Sequence, residues 1–286
     1  TAHQLRDTNS GGSKPLMGQL RVLVHGALGK MGQEVLRALC LDPELEPWTA
    51  VDLKAASRSL LLPDGSRSIP LSPDLDAILS HHGADVMVDF TAAEATMAAV
   101  RAAAKHKVRM VIGTTGLSPE RVDEITNLCR REELGAVIAS NFSIAAAVMI
   151  HSAKLAAKFF DHAEIIELHH DQKTDAPSGT ALTTAKKMAE AKGKPFVHAT
   201  AETESISGSR GAEFEGIAIH SVRLPGLLSH QEVIFGAPGQ TLRIRLDQIG
   251  REAFMPSVLL AIKKVTELKA AVVGLDGILG LEEGSC

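Results

Sequence analysis

Cysteine is scarce in this 286-residue chain: Cys40, Cys129 and Cys286 are odd in number, far apart and in no CxxC or other metal-ligand spacing. Such usage argues against a disulfide framework and a zinc site, and points to a reducing compartment, the cytoplasm or, in a photosynthetic eukaryote, the plastid stroma. A basic surplus is missing too. Lys+Arg number 30 against 34 Asp+Glu, for a formal net charge of −4. With the cations dispersed among acids, nucleic acid is not expected as a partner, because phosphate binding needs a basic surface. No apolar stretch has the makings of a membrane span. The nearest, Phe142 to Phe160, carries His151, Lys154 and Lys158 at helical spacing and reads as an amphipathic helix. Residues 1–18 have no apolar signal core, are polar and contain Gly11-Gly12-Ser13. They are expected to be a disordered leader, whether tag, transit-peptide remnant or native extension. There is no internal repeat and no low-complexity tract.

What is there fits an ordinary soluble globular protein, with 45% hydrophobic and 22% charged residues, and the length suggests two domains. Leu20-Arg21-Val22-Leu23-Val24-His25 has the content of a buried strand. Gly26-Ala27-Leu28-Gly29-Lys30-Met31-Gly32 follows at once, and a helical pattern continues through Val35, Leu36 and Leu39. A strand, glycine turn and helix is the setting of a dinucleotide-binding fingerprint, here with GxxGxxG as a variant of GxGxxG. Asp52 ends a second strand, Thr49-Ala50-Val51, 20 residues beyond Gly32, where a carboxylate can accept hydrogen bonds from the adenosine ribose. Gly26, Leu28, Gly29, Lys30, Met31, Gly32 and Asp52 are therefore cofactor-binding candidates. Asp52 alone would favour NADH, whereas Lys30, Lys54 and Arg58 can place cations near the 2′-phosphate of NADPH. Both cofactors are expected to work, with NADPH moderately preferred.

The alternation continues with helices over Asp74 to Leu79, Glu94 to Lys107 and Pro119 to Leu134, and with strands over Asp85 to Thr91, Arg109 to Gly116, which ends in a small-residue turn, and Ala136 to Ser140. Strands alternating with helices predict a doubly wound parallel sheet, whose ligands sit beyond the carboxyl ends of the strands. Phe90 and Thr91, Gly113, Thr114 and Thr115, and Asn141, Phe142 and Ser143 all fall there and should line the nicotinamide side of one crevice. Further on the pattern changes to strand-like segments, Ile217 to Arg223, His230 to Phe235 and Thr241 to Asp247, separated by proline-glycine turns. The fold class expected is α/β, a Rossmann-like doubly wound parallel sheet followed by an α+β domain with an open mixed sheet. Thr200 to Glu215 reads as a mobile surface loop and Met255 to Leu268 as a last helix returning to the first domain. The domains are thus expected at 19–141 with 252–286, and at 142–251.

Between these halves lies the densest chemistry of the chain, Glu167-Leu168-His169-His170-Asp171-Gln172-Lys173-Thr174-Asp175-Ala176-Pro177-Ser178-Gly179-Thr180. It follows the apolar run Ala163 to Ile166 and precedes a helix-compatible run from Ala181 to Lys192, so it reads as strand, charged loop and helix start. The unpaired N–H groups of Ser178, Gly179 and Thr180, at the positive end of the helix dipole, make a ready carboxylate site. His169, His170 and Lys173 add positive charge and exchangeable protons beside it. Zinc at His169-His170 is not expected, since adjacent histidines point differently and no partner sits at i+4.

Three stretches together, Gly26 to Gly32, Val88-Asp89-Phe90-Thr91 with Val111 to Gly116, and Glu167 to Thr180, closely resemble the 4-hydroxy-tetrahydrodipicolinate (dihydrodipicolinate) reductases of lysine biosynthesis. The likeness runs in order from about Leu20 to about Leu275, and Ile219 to Gly226 with His230 to Gly239 look most like the cyanobacterial and plant branch. Leu53 follows Asp52 where some bacterial members carry an arginine. The resemblance implies hydride delivery from NADPH or NADH to a cyclic imine-like dicarboxylate. It implies His169 as the acid, with Lys173 sharing that role or holding a carboxylate, and His170, Ser178, Gly179 and Thr180 gripping the substrate. It also implies Arg251 as a cofactor-edge candidate at the interdomain hinge, and a homodimer or homotetramer formed through residues 142–251. A second two-domain dehydrogenase acting on a small acid or sugar, and a dinucleotide sensor without catalysis, remain as alternatives; a sensor has no need of the Lys173 and Ser178-Gly179-Thr180 cluster.

Overall fold

A computed structural model describes residues 18–281, so the expected leader lies outside the described residues but for Gly18. In chain order the strands are β1 (Leu20–His25), β2 (Leu45–Val51), β3 (Ser59–Leu61), β4 (Ser68–Ser72), β5 (Val86–Asp89), β6 (Arg109–Ile112), β7 (Ala136–Ile138), β8 (His162–His169), β9 (Ala212–Phe214), β10 (Ile217–Arg223), β11 (Ser229–Ala237), β12 (Gln240–Gln248) and β13 (Ala271–Val273). The helices are α1 (Lys30–Leu41), α2 (Leu75–His82), α3 (Ala93–Lys105), α4 (Pro119–Arg131), α5 (Ile144–Ala157), α6 (Gly179–Lys192), α7 (Met255–Lys264) and α8 (Asp276–Leu279).

The first sheet runs β13-β7-β6-β5-β1-β2-β4-β3 and is parallel except for the β3–β4 hairpin at its edge. Its central strands are apolar on both faces because helices cover both: every residue of β5 and β7 is buried. One face packs Val22, Val24, Val86, Val88 and Val111 against Leu36 and Leu39 of α1 and Val258 and Ile262 of α7; the other packs Leu23, Met87, Met110 and Ile112 against α3 and α4. Burying Val258 and Ile262 fully is worth about 1.5–3 kcal/mol each, enough to hold the returning chain on the sheet. Lys263 adds ion pairs to Asp42 and Glu44 at 2.9 and 2.8 Å. Helix starts follow capping chemistry, with Asp74, Ser118 and Ser143 accepting N–H bonds at α2, α4 and α5.

The second sheet, β12-β11-β8-β10-β9, is mixed: β10 runs parallel to β8 while β11 runs antiparallel to it. Alternation sends Ala163, Ile165, Val233, Phe235, Ile217 and Ile219 into a core under α5 and α6. The register sets Ile166, Leu168, Val222 and Ile234 on the opposite face, all only partly buried, with Glu232 across from Arg245.

Four strands escape the sequence pattern. β3, β4 and β9 lack the continuous apolar run that marks the comparably short β5, β6 and β7, β13 follows a helix read as the last element, and each is paired to a neighbouring strand. Thus Thr200 to Glu215 is not loop throughout, since Ala212–Phe214 pairs antiparallel with β10. The last helix is shorter than Met255 to Leu268: it ends at Lys264 and tightens into the 3-10 turn Val265–Glu267, where β-branched Val265 and Thr266 disfavour further α-helix.

Candidate active site

The glycine turn is held by contacts that no side chain would survive. Gly26 has φ +83°, and a Cβ there would lie 2.8 Å from the Phe90 carbonyl; a Cβ on Gly32 would lie 2.2 Å from the Gly26 carbonyl. α1 is thereby pressed onto the turn. Gly29 caps it with no side-chain bond and no acid stands in its first turn, so its N–H groups are left for an anion such as a pyrophosphate. Asp52 has a part that spacing did not show: its Oδ2 accepts the Leu28 N–H and its Oδ1 the Lys54 N–H, both at 2.9 Å, stapling the turn to the end of β2. Leu28, Lys30 and Lys54 are exposed around it, and Met31 packs partly against the core. Turn, uncapped helix and carboxylate together fit a dinucleotide.

At the carboxyl ends of β1, β5 and β6 three segments meet on one buried carboxylate. Asp89 Oδ1 is 3.0 Å from His25 Nδ1 and accepts the Thr91 hydroxyl at 2.7 Å; Oδ2 accepts the hydroxyls of Thr96 at 2.6 Å and Thr114 at 3.2 Å. Burial pushes the Asp89 carboxyl up, but His25 and the hydroxyls outweigh it and hold it below the ordinary range. The Phe90 ring fills the space a Cβ on Gly113 would need and meets Phe142 edge-on, 5.9 Å between centroids. Ser257 donates to the Phe142 carbonyl and so ties the crossing into the second domain to α7.

A cleft of about 310 Å3 opens between the sheets, lined among others by Thr114, Asn141, Ser143, Gly179, Thr180 and Lys187. Two polar contacts span it: Asn141 Nδ2 donates to Thr180 Oγ1 at 3.3 Å, and Lys187 pairs with Asp276 at 2.6 Å. Ser178 caps α6 through the Ala181 N–H, and a Cβ on Gly179 would meet open space, so the helix N-terminus faces the cleft unobstructed.

Next to that turn, β8 ends in a buried charge network. Glu167 is fully buried. Its Oε2 lies 2.5 Å from His169 Nδ1 and 2.9 Å from Arg223 NH1; its Oε1 accepts Arg223 NH2 at 2.7 Å and the Ser178 N–H at 3.3 Å. Burial would raise the Glu167 carboxyl, but the bonds from His169 and Arg223 hold it at about 2. His169 Nε2 meets the Ser229 hydroxyl at 3.1 Å. Arg223 NH2 also donates to the Asp175 carbonyl at 2.7 Å, tying the loop to β10.

Thr114, Asn141, Ser143, Gly179 and Thr180 therefore share one cleft, and His169 reaches Ser178 through Glu167. The rest of the expected set stands apart from that cleft lining. His170 leaves the strand with its carbonyl accepting the Lys173 N–H at 3.2 Å, Lys173 Nζ is paired with Asp175 at 2.6 Å, and Thr115 is exposed after β6. Arg251 is exposed at the start of the 3-10 turn Arg251–Phe254. Among the described residues no group of three or more His, Cys, Asp or Glu could hold a metal. Glu167, Arg223, Ser229 and Asp89 were not singled out from sequence. Glu167 had a signal, an acid two residues before His169 on one strand face; Arg223 and Ser229 become neighbours only through the register of β10 and β11.

A parallel sheet with a glycine turn and an uncapped helix start, its carboxyl edge sharing one cleft with the N-terminus of α6, defines a two-domain nicotinamide-dependent oxidoreductase. Residues 20–142 match the family model for the dihydrodipicolinate reductase N-terminus, and residues 143–279 that for its C-terminus. The chain belongs to the dihydrodipicolinate reductase family. It is 55% identical over 265 residues to the 4-hydroxy-tetrahydrodipicolinate reductase of Dehalococcoides mccartyi, covering 93% of this chain and 100% of the relative. To that of Thermosynechococcus vestitus it is 47% identical over 268 residues, covering 91% and 97%. A solved structure of a dipicolinate-bound dihydrodipicolinate reductase from Paenisporosarcina sp. TG-14 superposes with a TM-score of 0.81 at 39% identity, covering 91% of this chain and 99% of that one.

Proposed function

We propose that the protein reduces 4-hydroxy-tetrahydrodipicolinate to tetrahydrodipicolinate in the diaminopimelate and lysine pathway, using NADPH in preference to NADH. Full-length identity to reductases of that name supports the reaction. The single observation that carries the site assignment is the pairing of a hydrogen-bonded imidazole, His169, with the open N-terminus of α6 across one buried carboxylate.

The nicotinamide supplies a hydride. Loss of the substrate's 4-hydroxyl as water leaves a C=C conjugated with the ring C=N; hydride addition to that system leaves negative charge on the neighbouring carbon, which needs a proton, and His169 is placed to give it. The N–H groups of Gly179 and Thr180 and the Thr180 hydroxyl hold one carboxylate of the substrate, whereas Ser178, expected to offer a free N–H, gives it to Glu167 and its hydroxyl to the cap of α6, and so frames the site from behind. Lys173, released from Asp175, and His170 hold the other. Thr91, Gly113, Thr114, Thr115, Asn141 and Ser143 orient the nicotinamide, with Phe90 and Phe142 as its apolar wall and Arg251 at the edge. Gly26, Leu28, Gly29, Lys30, Met31 and Gly32 take the pyrophosphate, and Asp52 with Lys54 takes the adenosine ribose. The residues around 19–141 and 252–286 act as the cofactor unit and 142–251 as the substrate unit. The outer face of the second sheet, with Ile166, Leu168, Val222 and Ile234 only partly buried, is the surface on which copies of the chain pair into a homodimer or homotetramer. The work is done in a reducing aqueous compartment, the cytoplasm or a plastid stroma.

The test is consumption of NADPH with freshly made product of the preceding synthase, in parent and His169→Gln. The variant should lose roughly 10²-fold or more in turnover, with dinucleotide affinity unchanged. No substrate-dependent oxidation by the parent would overturn the reading.

A further inference from the structure

We infer that Glu167, locked by Arg223, is a positioning residue that fixes the proton of His169 on Nδ1 and so makes Nε2 the atom that gains and loses the catalytic proton; this rests on the function proposed above. Glu167 Oε2 is 2.5 Å from His169 Nδ1, and the carboxylate is acceptor-only when ionised, so Nδ1 must be the donor. In the neutral ring Nε2 is then a bare acceptor of the Ser229 hydroxyl, 3.1 Å away; in the protonated ring Nε2–H turns to Ser229 or to substrate. On reduction the Nε2–H bond breaks, its proton joins the carbon that holds the new electron pair, and the neutral ring recovers a proton from solvent.

The same carboxylate is filled on every side. Arg223 donates to both oxygens, and the Ser178 N–H at the head of α6 donates to Oε1. Arg223 in turn holds the Asp175 carbonyl. One ion pair thus sets the proton on His169 and keeps the loop between His169 and Ser178 in register with it. A shift of either would separate the proton donor from the anion site by the same movement.

Glu167→Gln discriminates sharply because an amide offers one acceptor and one donor end. With its NH2 at the Oε1 position it faces two obligate donors, Arg223 and the Ser178 N–H. At the Oε2 position it faces Arg223 and an imidazole nitrogen that can become an acceptor by moving its proton. The second orientation is favoured, and it drives the proton to Nε2. In hydrolase triads an equivalent carboxylate-to-amide change leaves the geometry intact and costs ~10⁴ in turnover through the wrong tautomer.

The experiment is ¹⁵N–¹H correlation spectroscopy of the imidazoles in the full chain, with His169 assigned from the His169→Gln spectrum, alongside steady-state kinetics. The parent should show a neutral His169 ring protonated on Nδ1. Glu167→Gln should show it on Nε2, with turnover lowered about 10²- to 10³-fold and the Michaelis constant for dinucleotide within about twofold. An Nε2-protonated neutral ring in the parent overturns the inference even if the variant does not fold. So does a folded variant that keeps its turnover, or one that loses stability and activity with the ring tautomer unmoved. If the parent reduces nothing, the proposed function fails while the ring spectra still decide this point.

Discussion

The glycine turn of the first sheet and the charge network of the second are built from different material. At the proposed dinucleotide end the groups around the glycine turn are main chain: glycines with no room for a Cβ, an uncapped helix start, and Asp52 spending both oxygens on backbone N–H groups, with Lys30 and Lys54 exposed outside. At the substrate end they are side chains on three adjacent strands, each committed to a partner, around a carboxylate that water does not reach. Main-chain sites are intolerant of added atoms and indifferent to charge. Side-chain networks are intolerant of lost charge and sensitive to protons.

The sharpest break of that contrast is Gly32→Ala. One methyl must sit 2.2 Å from the Gly26 carbonyl, so α1 has to move off the turn, costing about 1–3 kcal/mol of stability. Dinucleotide affinity should fall roughly tenfold or more, as calorimetry with NADPH and NADH would show, whereas dipicolinate binding at the other end should be spared. Equal loss at both ends would mean that the two regions are not separable.

Acid should act in the opposite place. Glu167 is held at about 2 against an ordinary 4.5, so its native state binds a proton less readily than the unfolded chain. Its contribution is complete above about 4.5 and is lost as pH falls from there through about 2. Asp89, a buried carboxylate of the first sheet lowered in the same sense, adds an acid-sensitive share there too, one that is common to parent and Glu167→Gln and leaves the gap between them unchanged. Melting temperatures of the parent and Glu167→Gln, followed downward through that window, should converge, since protonation turns the parent into its own amide mimic. A gap that stays constant with pH would remove the buried carboxylate as the cause.

The smallest effect belongs to Lys54→Ala. An exposed cation beside a 2′-phosphate is screened, so NADPH affinity should weaken only about two- to fivefold, and less at high salt, with NADH unaffected. Equal loss for the two cofactors would show that Lys54 does not read the phosphate.

The same contrast explains what could be read from the chain alone. The glycine turn from Gly26 to Gly32 and the helix start at Ser178 are local features that spacing and capping chemistry could mark, whereas the bonds of Asp52 to the Leu28 and Lys54 N–H groups were not legible in its spacing. His169 stood out by residue type. Arg223 and Ser229 did not, because what makes them neighbours of His169 is the pairing of β10 and β11 with β8, which no periodicity encodes. Asp89 was hidden for another reason: in a strand buried on both faces a carboxylate looks like an interruption until His25, Thr91, Thr96 and Thr114 are seen to converge on it.

The chain crosses between the sheets twice, near Asn141–Ser143 on the way out and between Gln248 and Arg251 on the way back, before α7 and β13 rejoin the first sheet. A body hung on a single thread can swing and spin; one hung on two is left chiefly with rotation about the line that joins them. Asn141–Thr180 and Lys187–Asp276 lie across the mouth, so any rotation about that line has to break these two contacts first.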